Sequence, residues 1–346
     1  MNLENRKQMH DAAKNHLSGA ENAAKIALIY ACLVVGSSLL INGGRFFLGS
    51  QISQAGGLQN LGLKSVLSTL QTMLPIVFNF LLMCLGLGFT GAMLRITRDQ
   101  FASPQSIKIG FARFWVLLRA TLLEGGLYVL ASFAAYFLSI TIFFMTPLSR
   151  NVLKVMLPLV TGGEADIFAI LENPAVMEQL ISSMVPLYII MGILFLILAA
   201  PVYYRYRLVN YLIIDEPRMG ALMAMGISRM AMRRNLMKYL KLDLSMWWYY
   251  GANVIALIIC YGSTILTLLG VELPLSPLVL SLGCFLVYLV LTFLITLFLQ
   301  PHVEVIHAMA YEILRPRKQE NSGGAVLGNI FDLAKDQMDQ ISDQNN

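Results

Sequence analysis

Residues 278–299 read LVLSLGCFLVYLVLTFLITLFL, a run without a single charged side chain. A bilayer's hydrocarbon core is about 30 Å thick, so a helix that rises 1.5 Å per residue needs about 20 apolar residues to cross it. The run is continuously apolar rather than alternating, which favours a transmembrane helix over a barrel strand. Five further windows are also continuously apolar. They are about 23–41, with Lys25 at its edge, 73–94, 120–145, which contains Glu124, 184–204 and 244–271.

The hydrophobic and charged fractions of the chain are typical of a polytopic membrane protein. The chain has 346 residues, of which 57% are hydrophobic and 13% are charged, whereas soluble domains carry about 25% charged residues. Its mean hydropathy is +0.66. These values exclude a disordered chain, a collagen, a disulfide scaffold and a typical soluble enzyme. We therefore predict an all-α fold, a polytopic bundle of six transmembrane helices.

The orientation follows from the basic residues, which concentrate on the cytoplasmic side of membrane proteins. If the N-terminus is inside, 21 of the 25 lysines and arginines fall in the inside segments, which are 1–25, 95–119, 205–243 and 300–346. Both termini are therefore predicted to be cytoplasmic. The domain organisation expected is a cytoplasmic segment 1–22, a membrane domain 23–315 and a C-terminal part 316–346.

Surface helices are expected on the cytoplasmic side after spans two, four and six. The segments 99–119, 215–243 and 302–314 each follow or contain a proline near their start, and proline suits the first turn of a helix. Asp215 and Glu216 precede Pro217, so we expect these acids to cap the helix that follows.

Glu124 is the one acid well inside a predicted span. An isolated carboxylate is costly to bury, so it should be paired, protonated or next to water. Arg205 and Arg207 are the natural partners, because the apolar run of span four continues past them. We predict a pair between Glu124 and one of these arginines; the alternative is an interfacial acid with arginines that extend to the headgroups.

The densest charge on the chain lies between spans four and five. Its members are Arg229, Arg233, Arg234, Lys238 and Lys241. Each basic residue near an anionic leaflet contributes about 1 kcal/mol of binding free energy, so these residues are candidates for binding lipid headgroups. Ordinary positive-inside topology is the alternative. Nucleic acid is disfavoured as a partner, because apolar residues interleave the cluster.

Motifs for catalysis, metal or cofactor binding are missing from the sequence. There is no GxSxG, HExxH, P-loop or GxGxxG after a strand, so we predict no catalytic residues, no metal and no cofactor. Glu304 and His307 are three residues apart, but di-metal bundles need that spacing twice with further glutamates. A helix cap at the interface is the expected role.

The C-terminal residues 326–341 have helical amphipathic spacing. The apolar positions are Leu327, Ile330, Phe331, Ala334, Met338 and Ile341. Aspartates dominate the opposite face, which anionic lipid would repel. We expect this helix either to dock on the basic cytoplasmic surface or to bind a protein partner; a frayed tail is the alternative.

Three stretches carry a resemblance to a known family. They are YYRYRLVNYLIIDEP at 203–217, GISRMAMRRNLMKYLKLDLSMWWYYG at 226–251 and QPHVEVIHAMAYEIL at 300–314. These stretches resemble an uncharacterised family of bacterial polytopic integral membrane proteins, a domain of unknown function. That family is distantly similar to the membrane domain of glycerophosphodiester phosphodiesterases. The resemblance implies a bacterial cytoplasmic membrane and no catalytic residue.

Two functions fit the sequence. The first is a non-enzymatic scaffold or accessory factor that interacts with lipids, including anionic ones, or with partner proteins. The second is a small transporter or permease with a polar site near Glu124 and Arg205. Transporters show broken helices and several polar groups at mid-membrane, whereas the predicted spans here carry few such groups. That difference favours the scaffold.

Overall fold

The computed structural model describes residues 3, 5–54, 61–147, 149, 150, 152, 174–268 and 277–315, and all regular structure in this part of the chain is helical. The helices are α1 (Arg6–Gly19), α2 (Ala23–Gln54), α3 (Leu61–Thr97), α4 (Ile109–Ala112), α5 (Phe114–Met145), α6 (Pro174–Tyr206), α7 (Val209–Asp215), α8 (Ala221–Met232), α9 (Leu236–Ser245), α10 (Trp247–Cys260), α11 (Gly262–Leu268), α12 (Pro277–Leu294) and α13 (Gln300–Leu314). A 3₁₀ helix, Pro104–Lys108, precedes α4.

Five helices are long and apolar enough to cross a membrane. They are Ala23–Ile52, Gly62–Thr97, Phe114–Met145, Ser182–Asp215 and Val279–Leu314. A sixth candidate consists of α9 and α10, which meet at an angle of 64°. Each predicted window overlaps one of these six, and the helices run well beyond most of the windows.

The window 244–271 is not the straight span that the sequence suggests. The helix breaks at Met246, between α9 and α10, and again at Tyr261. At the first break, the Ser245 hydroxyl donates to the Leu242 carbonyl oxygen. A serine hydroxyl that bonds to the backbone competes with the helix hydrogen bonds, and such contacts bend helices. Residues 269–271 lie outside the described part of the chain.

The sequence predicts a separate surface helix that starts after Pro301. The structure shows that this prediction is wrong. The five residues Ile295–Leu299 form one π-helical turn, in which the Gln300 N–H donates to the Ile295 carbonyl oxygen. Proline has no N–H to donate to a carbonyl one turn earlier, and a π turn shifts the hydrogen-bond register at that point. Residues 302–314 therefore continue the last candidate span, and most of them are buried.

A hydrophobic core of buried side chains lies at one end of the candidate spans. It contains the end of α3, the start of α5, most of α7, and residues from α1, α8, α9 and α13. The opposite halves of the long helices expose large apolar side chains, for example Leu40, Val77, Leu130 and Ile189. Helices with apolar surfaces on all sides are typical of contact with lipid. We call the end that contains this core the packed end.

Two groups of long helices meet at the packed end. In one group α2 packs against α3 and α12, and α12 packs against α10. In the other group α5 and α6 pack against each other. The short helices α7, α8 and α9 contact α5 or α6, and α7 also contacts α3, so α7 connects the two groups.

Close backbone contact fixes the 99–113 segment to α3. A Cβ atom on Gly88 would lie 1.9 Å from the Ile107 carbonyl oxygen, and one on Gly110 would lie 1.8 Å from the Cys84 carbonyl oxygen. Both distances are far below van der Waals contact, so only glycine fits at these positions. The glycines of α3 therefore serve close helix packing.

Candidate functional site

Helix α13 carries polar side chains into the packed end. His302, Glu304, His307 and Tyr311 follow one another at intervals of two to four residues, so they project from neighbouring faces of the helix. Their partners come from α1, α3, α7 and α9 and from the residues between α6 and α7. Helix α13 is therefore the element that assembles the polar groups of this end.

The most deeply buried contacts run from Asp243 through His307 to Arg207. His307 is fully buried, and its Nε2 lies 2.8 Å from an Asp243 carboxylate oxygen. Its Nδ1 lies 2.9 Å from an Arg207 guanidinium nitrogen. Because arginine can only donate, Nδ1 must accept. The proton is therefore on Nε2, which donates to Asp243, and the imidazole is neutral.

Tyrosine rings surround this chain of hydrogen bonds. The Tyr203 ring centroid lies 5.2 Å from the guanidinium carbon of Arg207, within range of a cation–π contact. The Tyr239 ring stacks on His307 at 5.6 Å. In the described part of the chain, the Tyr239 hydroxyl and Arg207 Nε are buried without a hydrogen-bond partner, and buried groups of this kind usually hold an ordered water.

Glu304 accepts hydrogen bonds from two other helices. The Tyr211 hydroxyl of α7 lies 2.8 Å from its carboxylate, and the Thr90 hydroxyl of α3 lies 3.5 Å from the same oxygen. The Tyr211 ring also stacks on Tyr311 at 5.4 Å. Glu304 and His307 therefore have separate partners, and neither points to a shared metal. Within the described residues, no group of three His, Cys, Asp or Glu side chains could hold a metal ion.

The Asp215 carboxylate, at the end of α7, accepts hydrogen bonds from three donors. They are Arg98 Nη1 at 2.6 Å, the Tyr311 hydroxyl at 2.8 Å and Arg315 Nη1 at 3.2 Å. Arg98 also donates from Nε to Glu312 over 2.7 Å. The hydrogen bond to Asp215 raises the pKa of the Arg98 guanidinium above its ordinary value, desolvation opposes this rise, and Glu312 adds to it.

Asp215 does not cap the following helix, which corrects the expectation from the sequence. It is the last residue of α7, while α8 begins at Ala221 behind Gly220, which gives no side-chain cap. The acid joins α3, α7 and α13 instead, because its carboxylate can accept bonds from several donors at once.

Helix α1 is attached to the same site through His10. Its two ring nitrogens lie 3.0 Å from His302 Nε2 and 3.2 Å from the Ser245 hydroxyl. Burial lowers the pKa of His10, against a smaller opposite effect of Asp11. Between His10 and His302 one ring nitrogen must donate and the other accept, so protonation of both rings would break this contact.

Glu124 lies on α5 with Tyr128, one turn further along, as its hydrogen-bond partner at 3.3 Å. The charge of Arg207 acts on it from a longer distance. Within the described residues, no direct contact joins Glu124 to Arg205 or Arg207. Arg205 is exposed, and its backbone carbonyl accepts from the Ser228 hydroxyl. The two arginines predicted as alternative partners of Glu124 therefore have different surroundings.

All five predicted headgroup residues are exposed. Arg229 belongs to α8, Lys238 and Lys241 belong to α9, and Arg233 and Arg234 lie between these helices. Large apolar side chains are exposed on the same two helices, among them Leu222 (67%), Met230 (57%) and Met237 (65%). We call the five basic residues with these three apolar ones the basic face. Trp247, at the start of α10, is 72% exposed.

Sequence reasoning missed the contacts that hold the packed end together, above all those of Asp243, His307, Arg98 and Tyr211. The available signal was weak: Asp243 stands between two leucines just before an apolar run. The predicted C-terminal helix 326–341 lies outside the described residues.

Known proteins give little further information. No curated protein and no solved structure matches the chain. A family model described as "Protein of unknown function (DUF975)" matches residues 1–318. The chain therefore belongs to the DUF975 family of proteins of unknown function.

Proposed function

We propose that this protein is a non-enzymatic scaffold or accessory factor of a bacterial cytoplasmic membrane, with both termini in the cytoplasm, that binds anionic lipid headgroups through the basic face. The observation that carries the proposal is the basic face itself, in which five exposed cations alternate with exposed Leu and Met side chains. Apolar side chains that enter the interface and cations that meet phosphates are the two contributions that hold such helices at membranes.

The position of this face supports the proposal. Helices α8 and α9 pack on α6 at the packed end, next to the ends of helices that are long enough to cross a bilayer. Exposed aromatic side chains occur at the same end, including Trp115 and Trp247, and tryptophan favours the membrane interface. The face would then lie at headgroup depth.

The state of the buried polar groups supports a structural role for them. Both ring nitrogens of His307 are bonded, and Asp215 accepts from three donors. A general base or nucleophile needs a free atom that can reach a substrate. A network whose members satisfy one another instead fixes helices relative to each other, as a scaffold requires.

Lipid selectivity tests the proposal directly. Full-length protein would be purified from a membrane that contains phosphatidylglycerol, and the retained lipids would be counted by native mass spectrometry. The variant Arg229→Gln, Arg233→Gln, Arg234→Gln, Lys238→Gln and Lys241→Gln should lose most of the retained phosphatidylglycerol. Its matched control carries Arg6→Gln, Lys7→Gln, Lys14→Gln, Lys25→Gln and Arg95→Gln, five other exposed cations, and should keep it. Equal loss in both variants would contradict the proposal.

A transporter is the second candidate, and one observation favours it. Arg207 Nε and the Tyr239 hydroxyl are buried without a partner, and Arg207 lies where α6 ends, near Glu124 on the other helix of that pair. A water-accessible polar site between the two helix groups would have this character. Labelling of Tyr128→Cys in a variant without the native cysteines tests it: a transporter predicts reaction with membrane-impermeant thiol reagents, and a closed bundle predicts none.

The proposal also includes a distant family relationship and a role for the C-terminal segment. We propose that the membrane domain is distantly related to the membrane domain of glycerophosphodiester phosphodiesterases, and that the C-terminal helix 326–341 is a site of protein contact. A solved structure of either protein would test the first statement by superposition of the helices.

A further inference from the structure

The basic face calls for an occupant with negative charge. Five exposed cations provide the charge, and Leu222, Met230 and Met237 stay more than half exposed among them. Exposed apolar side chains in such a group mark an interaction surface. An acidic helix provides the negative charge that such a surface attracts.

The chain itself contains such a segment. The sequence predicts a helix over 326–341 with apolar residues on one face, and Asp332, Asp336, Asp339 and Asp343 on or just beyond the other face are balanced by Lys335 alone. Through its aspartate face, this segment is therefore complementary to the basic face in charge. Anionic lipid would repel the same aspartates, so the membrane surface is the less favourable place for it.

The end of the described chain lies within reach. Arg315, the last described residue, bonds to Asp215 over 3.2 Å, and Asp215 precedes the first residue of α8 by six positions. The ten residues 316–325 can span about 33 Å when extended. Helix α8 has 12 residues and is thus about 18 Å long. The linker is long enough for the segment to lie along α8 and α9.

We infer that the acidic C-terminal segment 326–341 docks on the basic face of its own chain and competes there with anionic lipid headgroups. The competition with lipid rests on the proposed function. The docking itself rests on the reach of the linker and on the charge complementarity. Bound segment and bound lipid exclude each other, because both use Arg229, Arg233, Arg234, Lys238 and Lys241.

Photocross-linking tests the docking in the full-length protein. A benzophenone amino acid replaces Met237, which is 65% exposed, and the protein is placed in phosphatidylcholine nanodiscs. Mass spectrometry should find cross-links to residues 326–343 of the same chain; mixing with isotope-labelled protein separates these from links to a second copy. The matched control carries Asp332→Asn, Asp336→Asn, Asp339→Asn and Asp343→Asn and should reduce the cross-links about tenfold, as expected for several exposed charge pairs lost together.

Lipid composition separates the two halves of the inference. In phosphatidylglycerol nanodiscs the cross-links should fall several-fold, and deletion of 316–346 should increase the retained phosphatidylglycerol. Missing cross-links in phosphatidylcholine, links only between two copies, or links that the aspartate variant leaves unchanged would overturn the docking. Cross-links in phosphatidylcholine together with no phosphatidylglycerol preference in any variant would support the docking and refute the proposed function and the competition.

Discussion

Removal of the Asp243 carboxylate tests whether the buried chain from Asp243 to Arg207 holds the packed end together. Asp243 is 4% exposed and accepts from His307 Nε2 over 2.8 Å. Asp243→Ala would leave the buried Nε2–H of His307 without an acceptor. An unsatisfied buried donor costs about 1–3 kcal/mol. We therefore expect the free energy of unfolding to fall by about 1–3 kcal/mol.

Asp243→Asn separates the charge from the hydrogen bond. The amide oxygen can still accept from His307 Nε2, so the loss is the charge assistance of one hydrogen bond, about 1 kcal/mol. The double variant Asp243→Ala with His307→Ala should lose less than the sum of the single changes, because the orphaned imidazole N–H is gone. We expect a coupling free energy of about 2 kcal/mol.

The assay is denaturant unfolding in detergent micelles, followed by tryptophan fluorescence and circular dichroism. Glu21→Ala provides the control, because Glu21 is an exposed acid, and it should change the stability by no more than about 0.5 kcal/mol. An Asp243→Ala variant as stable as this control would refute the reasoning. Equal effects of Asp243→Asn and Asp243→Ala would show that the charge, rather than the hydrogen bond, carries the stability.

Three further predictions concern other parts of the packed end. Gly88→Ala should destabilise the protein by about 1–3 kcal/mol or more, because the new Cβ would lie 1.9 Å from the Ile107 carbonyl oxygen; Gly86→Ala, whose Cβ would meet the Tyr30 hydroxyl at 3.5 Å, should have little effect in the same unfolding assay. Arg98→Ala should cost about 2–3 kcal/mol, because Asp215 and Glu312 each lose a charge-assisted bond, whereas the exposed neighbour Arg95→Ala should not. Docking of α1 should weaken as the pH falls through the window between the folded pKa of His10 and its higher unfolded pKa, since burial lowers the folded value and the unfolded state then binds more protons. Hydrogen exchange of residues 6–19 should increase over that window, and His10→Gln should remove the pH dependence; exchange that stays constant with pH would contradict it.

The candidate spans could be predicted from the sequence, because the thickness of a bilayer sets the length of an uncharged helical run. The end of the last span could not. Pro301 resembles a helix start, yet a single π turn at Ile295–Leu299 carries the helix past it. The helix break at Met246 could not be predicted either, because Met246 lies within the uncharged run 244–271, which resembles one continuous span.

The contacts of the buried network could not be predicted from the sequence, for a different reason. His307 meets Asp243 from 64 positions away and Arg207 from 100 positions away, and no local spacing rule encodes such contacts. Glu124 is conspicuous in the sequence because it is a charge within an apolar window, whereas Asp243 lies at the edge of one. The structure reverses their environments: Asp243 is buried among partners, and Glu124 has Tyr128 one turn away.

The lipid contact of the basic face can be measured at Trp247, which is 72% exposed at the start of α10, directly after α9. In a protein with Trp115→Phe and Trp248→Phe, the fluorescence of Trp247 would be quenched by brominated lipids in vesicles of defined composition. Lipid binding through the basic face predicts stronger quenching by brominated phosphatidylglycerol than by brominated phosphatidylcholine at equal mole fraction. This difference should disappear when Arg229, Arg233, Arg234, Lys238 and Lys241 are replaced by glutamine. Equal quenching by the two lipids in the protein with these five residues intact would contradict the binding of anionic lipid by the basic face.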